Sequence, residues 1–258
     1  MDCLSYRWLM FFLIYTLGFQ VCIAATPLPS PVGRVVWVKG HLKAVMANKE
    51  ERLLQRKSII YLHDTLITDA KSQAQIGFVD QTLMTFRENT RFEVSKFNYN
   101  KAAEKTGKSV MNLIEGGFRT ITGAVASNHP DNYAVNTPVA TIGVRGTEYQ
   151  IYFHKFQLYV GFYHGRVCIT GGKSNGKDCS SDKKNKQSNI SKTVCLSKEH
   201  PYAYVNGPCS NPQFLAKKPS TLGKDLLVVH ENIEPFELPP PPPSEGLRSG
   251  TVSSFCIR

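Results

Sequence analysis

The most informative absence in this 258-residue chain is that of a helical pattern. Nowhere do apolar residues recur with a period near 3.6 over a long window, which is how an amphipathic helix would appear. The one helical candidate, residues 100–105, could form only a turn or two. The sequence therefore argues against a helical bundle and against a fold that alternates strands with helices.

Motifs of common catalytic and metal centres are also scarce. The sequence has no His-Glu-x-x-His pair, no phosphate-binding loop and no Cys-x-x-Cys pair. Asp64, Asp69 and Asp80 fall in predicted turns, where aspartate commonly caps backbone amides. The histidines are scattered, and only His154 and His164 could approach each other across a hairpin as a weak metal candidate. We expect a protein that is not an enzyme and that uses no cofactor or metal.

Only one long apolar run is present, and it lies at the start of the chain. Arg7 precedes apolar residues 8–25, which end in the small residues Ala24 and Ala25. A basic flank, an apolar centre and a small cleavage site are typical of a secretory signal. We predict that residues 1–25 are a signal peptide and that the remainder is periplasmic or secreted, with no transmembrane span. An uncleaved segment that anchors the protein to the inner membrane is the alternative, because the run is almost long enough to span a bilayer.

Cysteine is sparse after the signal, and its spacing favours structural disulfides over a metal or redox site. In an oxidising compartment an even set of cysteines pairs. Four cysteines allow three pairings, and the spacing does not choose among them, although joining neighbours along the chain is the simplest choice. That choice would pair Cys168 with Cys179 and Cys195 with Cys209, leaving Cys256 over.

The body of the chain is a succession of short extended segments. They are rich in β-branched and aromatic residues, often alternate with polar residues, and are bounded by Gly, Asn, Asp or Pro. The predicted strands are residues 33–39, 42–46, 65–68, 74–79, 82–86, 90–97, 110–114, 118–122, 133–136, 158–163 and 166–170. Many short strands at steady spacing predict an all-β fold. Weak self-similarity in units of roughly ten residues favours stacked strands, as in a β-solenoid or β-roll, with a β-sandwich as the alternative.

We expect residues 137–153 to form the central structural segment of the domain. Pro138 fixes its own φ and makes Thr137 extended, so the segment opens as a turn into a strand. Gly143 and Gly146 then bracket Arg145 and predict a kink or tight corner. We interpret Arg145 as a structural residue that points inward, where its guanidinium would clamp a carboxylate or backbone carbonyls, in preference to a ligand-binding residue. The predicted structural motif consists of Thr137, Pro138, Gly143, Arg145, Gly146 and Thr147.

The pattern Thr-Pro-Val-Ala-x-x-Gly-Val-Arg-Gly-Thr-Glu-Tyr at residues 137–149 resembles the signature at the end of the FecR domain. This domain occurs in cell-envelope proteins of Gram-negative bacteria. Residues 33–40, 64–68, 74–86 and 113–117 resemble earlier parts of the domain in the same order: its opening strand, its Asp-x-Leu/Ile-x-Thr step, its apolar hairpin and its late glycine turn. The resemblance covers roughly residues 33–170 and implies a stacked β domain without a catalytic group.

Two positions depart from the family pattern. His63 stands where a glycine usually precedes Asp64, and Gln81 stands where glycine commonly follows Asp80. Both are turn positions, so the resemblance predicts these two turns less firmly than the rest. No chemical role is lost at either position.

The resemblance also carries a functional expectation. In the family's signalling members, the domain receives a signal from an outer-membrane iron–siderophore receptor and passes it to a cytoplasmic sigma-factor-binding segment. Only residues 1–7 precede the apolar run, too few for such a segment. A signal-transduction regulator of the iron–siderophore type is therefore a weakened alternative.

The chain is basic, with a formal net charge of +11, and its composition changes after residue 170. Residues 171–218 form a predicted Lys-rich, Cys-containing extension. Residues 219–258 are a predicted disordered tail, in which the proline run at 239–243 would adopt polyproline II. The candidate polyanion-binding lysines are Lys173, Lys177, Lys183, Lys184 and Lys186.

These observations lead to two functional hypotheses. The leading one is a non-catalytic, exported binding or scaffolding module that recognises another envelope protein, for example through an open β-edge. The alternative is a cationic binder of peptidoglycan or lipopolysaccharide, whose association would weaken with salt. Nucleic acid is not expected as a partner, because no recognition helix or base-stacking platform is evident.

Overall fold

The structure, a computed structural model, describes residues 30–101, 107–179 and 191–223. The predicted signal peptide, most of the helical candidate and the proline run lie outside these residues. Regular secondary structure within them is almost entirely strand, and the all-β prediction is confirmed. In the described part of the chain, no helix has the length and apolar character needed to cross a bilayer.

The described residues form seventeen strands. They are β1 (Pro31–Lys39), β2 (Leu42–Val45), β3 (Glu51–Leu54), β4 (Ile59–Tyr61), β5 (Thr65–Thr68), β6 (Gln73–Phe78), β7 (Leu83–Phe86), β8 (Arg91–Asn98), β9 (Lys108–Ile121), β10 (Tyr133–Asn136), β11 (Thr141–His154), β12 (Gln157–Thr170), β13 (Lys173–Ser174), β14 (Lys177–Asp178), β15 (Thr193–Leu196), β16 (Tyr202–Asn206) and β17 (Gln213–Leu215). One short helix, α1 (Ala124–Asn128), and the 3-10 turns Pro130–Asn132 and Ser220–Leu222 complete the described elements.

Fifteen of the strands join one branched sheet, and β13 and β14 form a separate hairpin. The main path through the sheet runs β17-β16-β12-β11-β10-β9-β7-β6-β1-β4. Off this path, β15 pairs with β12, while β3, β2, β5 and β8 lead in turn to β9. The pairings are antiparallel except that of β9 with β10, which is parallel.

Strand length separates the two halves of the domain. The strands within residues 31–98 have three to nine residues, which agrees with the prediction of short strands. In contrast, β9, β11 and β12 each extend over 14 residues. The two strands predicted at 110–114 and 118–122 are one strand, β9. Its first half lies between β8 and β10, and its second half lies between β7 and β11, so different neighbours pair with one continuous backbone.

The core is built around a cluster of aromatic rings on the inner face of the sheet. Phe118 lies at its centre, with ring centroids 5.9 Å from Phe86, 5.4 Å from Phe92 and 6.1 Å from Tyr149. Tilted and edge-to-face ring pairs at these separations add to the stabilisation from burial. All four side chains are almost fully buried, so the rings join β7, β8, β9 and β11 into one core.

The cysteine-containing extension contributes strands to the same sheet. β15 pairs with the end of β12, β16 pairs with its beginning, and β17 pairs with β16. The chain then returns to the sheet, where the Gln150 Nε2 donates a 2.7 Å hydrogen bond to the carbonyl of Leu222. Leu222 is fully buried. The disordered tail predicted from residue 219 therefore begins too early, since Ser220–Leu222 is packed on the sheet; residues 224–258 lie outside the described part.

Candidate functional site

The central segment begins with a tight turn built by Thr137. Its Oγ1 accepts hydrogen bonds from the N–H groups of Val139 and Ala140, at 3.3 and 3.0 Å, and donates one to the carbonyl of Ala140. A threonine hydroxyl that bonds to the backbone two or three residues ahead stabilises a turn. This turn reverses the chain between β10 and β11, which then pair.

The predicted corner at Gly143–Gly146 is a β-bulge within the continuous strand β11. The register with β12 is regular up to Arg145 opposite Arg166, after which β11 carries one extra residue before Glu148 opposite His164. A compensating extra residue on β12 restores the register at Tyr149 opposite Phe162. Gly146 has a φ of +53°, a left-handed conformation that favours glycine. The bulge turns the strand locally, as bulges next to binding sites often do.

Arg145 does not point inward, and that interpretation was wrong. Val144 is buried and its neighbour Arg145 is exposed, because successive side chains of a strand face opposite sides. A partly buried ion pair is instead made by Arg119, whose Nε and Nη2 donate to Glu148 Oε1 at 3.0 and 2.7 Å.

The two departures from the family pattern occupy positions where glycine is the easiest residue. His63 and Gln81 have φ values of +68° and +69°. An L-residue with a Cβ adopts this left-handed region at some cost, whereas glycine adopts it freely. The turns therefore keep a glycine-type conformation without the glycine.

Asp80 is a fully buried carboxylate beside the second of these turns. Its two oxygens each accept a 3.0 Å hydrogen bond from Thr82, one from the N–H and one from the hydroxyl. Desolvation raises the pKa of Asp80 above its ordinary value of 3.8, although these hydrogen bonds oppose the shift. Burial also raises the pKa of the hydroxyls of Tyr133 and Tyr149, which lie 3.1 Å apart.

We expect Asp80→Asn to change how stability depends on pH. The pKa of Asp80 is higher in the folded state than in the unfolded chain. At pH values above the ordinary pKa, the folded protein therefore holds more protons than the unfolded chain does. The free energy of unfolding falls as pH rises through this range. The asparagine variant lacks this loss, which amounts to at most about 1.4 kcal/mol per pH unit. Urea unfolding at several pH values between about 4 and 7 measures it. Parallel profiles for wild type and variant would contradict the prediction; the exposed Asp131→Asn is the control.

The four predicted disulfide cysteines form two disulfides, but with a different pairing from the simplest one. Cys168 is bonded to Cys195, and Cys179 is bonded to Cys209. The strand register decides this pairing, because Cys168 on β12 lies directly opposite Cys195 on β15. The second disulfide links the hairpin of β13 and β14 to the segment between β16 and β17.

An apolar groove lies beside a strand that is paired on one side. In the described residues β3 pairs with β2 alone, so its other edge is open. Leu53 on this strand is 71% exposed and Trp37 on β1 is 43% exposed. Both line a groove of about 370 Å³ together with the cationic or ionisable side chains of Arg56 and His41. We call this surface the β3 groove.

Comparison with known families decides what kind of domain this is. Residues 64–168 match the family model described as FecR protein. Residues 64–168, less than half of the chain, are therefore similar to a FecR domain. The match begins at Asp64 in the turn before β5 and ends at Cys168, so β1–β4 and the cysteine-rich extension lie outside the matched residues of the FecR domain.

Individual relatives add little to the family match. No curated protein sequence matches the chain. Two crystal structures of a proposed anti-sigma factor from Parabacteroides distasonis are similar, each with 11% identity and a TM-score of 0.41 over 60% of this chain. The chain spans 61% and 59% of the length of those two structures. A likeness this low does not carry an argument about function.

The predicted polyanion-binding lysines of the extension are only partly described. Lys173 and Lys177 lie on the two strands of the small hairpin, and Lys177 is exposed. Lys183, Lys184 and Lys186 lie outside the described residues. Their role stays a prediction.

Two patterns with catalytic associations do not form catalytic geometry in the described chain. Residues 172–176 have the spacing Gly-x-Ser-x-Gly, but Ser174 lies on β13 and residues 175–176 turn into β14, whereas a nucleophile elbow joins a strand to a helix. His154 and His164 lie apart: His154 is opposite Gln157, and His164 is opposite Glu148. Among the described residues there is no cluster of three potential metal ligands.

Neither the β3 groove nor the position of Arg145 opposite Arg166 was predicted from the sequence. Leu53 carried a weak signal, since it stands in a short strand flanked by charged residues. Arg166 carried none, because only the register of β11 with β12 places it opposite Arg145.

Proposed function

We propose that this protein is a non-catalytic FecR-type recognition module of the cell envelope that binds an extended segment of another envelope protein at the β3 groove. The FecR domain supports a role in the envelope. The two disulfides are compatible with an oxidising compartment such as the periplasm. The observation that carries the choice of site is the coincidence of an open strand edge with exposed Leu53 and Trp37.

The chemistry of the groove defines the partner. An extended chain that adds to β3 gains backbone hydrogen bonds along the open edge, and its side chains enter the adjacent pocket. The side chains of Trp37 and Leu53 line the pocket and can contact an apolar anchor residue of the partner. Arg56 lines the same pocket and no carboxylate does, so the fitting segment has an acidic residue next to its apolar anchor. His41 also lines the pocket but already faces Asp69 at 3.6 Å.

The test is site-specific photo-cross-linking in cells. A photo-reactive amino acid in place of Leu53 should capture one envelope protein, and the capture should persist at high salt, because backbone pairing and apolar contact are weakly screened. The same residue in place of Phe156, which is 50% exposed in the turn between β11 and β12, is the matched control. Equal capture of abundant proteins from both positions would refute the proposal.

We expect Trp37→Asp to reduce this specific capture about tenfold or more, because burying a large apolar side chain in an interface contributes roughly 1.5–3 kcal/mol. Lys173→Gln with Lys177→Gln, which reduces the charge of the extension, should leave the capture unchanged. If the lysine variant lost the capture and Trp37→Asp kept it, the cationic binding of peptidoglycan or lipopolysaccharide would become the better function.

A further inference from the structure

Two exposed arginines stand side by side on the outer face of the sheet. Arg145 on β11 and Arg166 on β12 are directly opposite in the register. Like charges directly opposite each other on paired strands repel. In the described chain neither guanidinium forms a hydrogen bond or ion pair with another residue, whereas Arg52 and Arg119 each bind a carboxylate. The fold thus keeps an unfavourable pair of charges at the start of the β-bulge.

A pocket lies next to this pair. Its volume is about 280 Å³, and its walls include Pro130, Val144 and the Cys168 end of the first disulfide. Gly143 forms part of its floor. Neither backbone conformation nor crowding requires glycine at this position, since its φ is not positive and a Cβ placed on it would meet nothing within 4 Å. Glycine leaves open space next to the two arginines at this position. Glycine inside a strand often marks a place where a ligand approaches the backbone.

The charges around the pocket define the ligand. Arg145 and Arg166 contribute two positive charges, and Asp131 at the pocket wall contributes one negative charge. A carboxylate has two oxygens and is satisfied by one guanidinium fork. A phosphate monoester carries about −1.5 to −2 charge at neutral pH and three acceptor oxygens, so it can bridge two guanidinium groups on neighbouring strands.

We propose that Arg145, Arg166 and the open floor at Gly143 form a binding site for a phosphate monoester group. The pairing of β11 with β12 just before the bulge brings the two arginines to the same face next to the pocket. The phosphorylated headgroup of a lipid and a phosphorylated sugar both present this group, and inorganic phosphate offers the same charge and acceptor oxygens. This site is separate from the β3 groove.

The experiment titrates the purified protein with three probes at constant ionic strength: inorganic phosphate, glucosamine 1-phosphate and acetate. Binding is followed by calorimetry and by the rise in Tm that a ligand of the folded state causes. Phosphatidylcholine vesicles with and without phosphatidic acid form a further arm. We expect inorganic phosphate, glucosamine 1-phosphate or the phosphatidic acid vesicles to bind, and acetate to bind at least tenfold more weakly.

Three variants locate the site. Arg145→Gln and Arg166→Gln should each weaken phosphate binding at least tenfold and, by removing repulsion, should not lower Tm in the absence of phosphate. Gly143→Val keeps both charges and should fold normally, because its side chain enters open space, yet it should block the pocket and lose binding. Arg91→Gln removes one exposed arginine on β8, outside the pocket, and should bind as wild type does.

The outcomes separate the sources and the alternatives. Binding of inorganic phosphate or glucosamine 1-phosphate places the ligand among small phosphates, and binding of phosphatidic acid vesicles alone places it among lipid headgroups. Either result supports the site if the three variants lose the binding. The proposal is overturned by no binding of any phosphate probe, by equal binding of acetate, or by binding that survives Gly143→Val and both arginine variants.

Discussion

Replacing Phe118 by alanine is expected to lower the free energy of unfolding by about 3–5 kcal/mol. The side chain is fully buried, and its ring contacts those of Phe86, Phe92 and Tyr149. Its removal leaves a cavity among three rings from three other strands, and these rings cannot all move inward, because each strand is held in the sheet by its own ladder of hydrogen bonds. The loss would be a large part of the stability of an ordinary domain.

Urea unfolding followed by circular dichroism measures this effect, with oxidised protein for wild type and variant. Phe156→Ala is the control, because that ring is half exposed and its loss should change stability by no more than about 0.5 kcal/mol. Equal effects of the two substitutions would show that the aromatic cluster is not the centre of the core.

Removing the Cys168–Cys195 disulfide is expected to lower the free energy of unfolding by about 3.5 kcal/mol. The two cysteines are 27 residues apart, and the chain-entropy model gives roughly 3 kcal/mol for a 15-residue loop and 4.7 kcal/mol for a 100-residue loop. The native strands β12 and β15 still pair in the double variant Cys168→Ala, Cys195→Ala, so the main change is the greater freedom of the unfolded chain.

The midpoint of urea unfolding at constant slope reports this change. Cys256→Ala removes a cysteine outside both disulfides and serves as the control. The double variant Cys179→Ala, Cys209→Ala opens a loop of similar separation, 30 residues, and should cost about as much if chain entropy dominates. An unchanged midpoint in both double variants would mean that the disulfides contribute little to stability.

The sequence was sufficient to predict an all-β body, because β-branched runs bounded by turn residues are local signals. The FecR-type assignment came from the resemblance of residues 137–149 to the family signature. It could not give strand length, since β9 looks interrupted by Gly116 and Gly117 but is continuous through them. The continuity comes from neighbours on both sides, which are distant in the sequence. The simplest disulfide pairing was wrong for the same reason, because the register of β12 with β15 places Cys168 opposite Cys195.

The orientation of Arg145 could have been predicted correctly. Ile142 and Val144 are both apolar and both buried, so strict alternation along β11 places Gly143 and Arg145 on the outer face. The motif glycines suggested a corner and obscured that alternation. The β3 groove is different, since its two exposed apolar residues come from strands that are brought together only by the fold.

The strands contributed by the extension have a consequence for solubility. β12 is 14 residues long, and β15 and β16 pair with the two ends of the side that β11 leaves free. A bare strand of this length would offer a row of unpaired backbone groups to other molecules, which is a common route to aggregation. Because residues 193–196 and 202–206 pair with that side, the extension leaves fewer of these backbone groups open to another molecule.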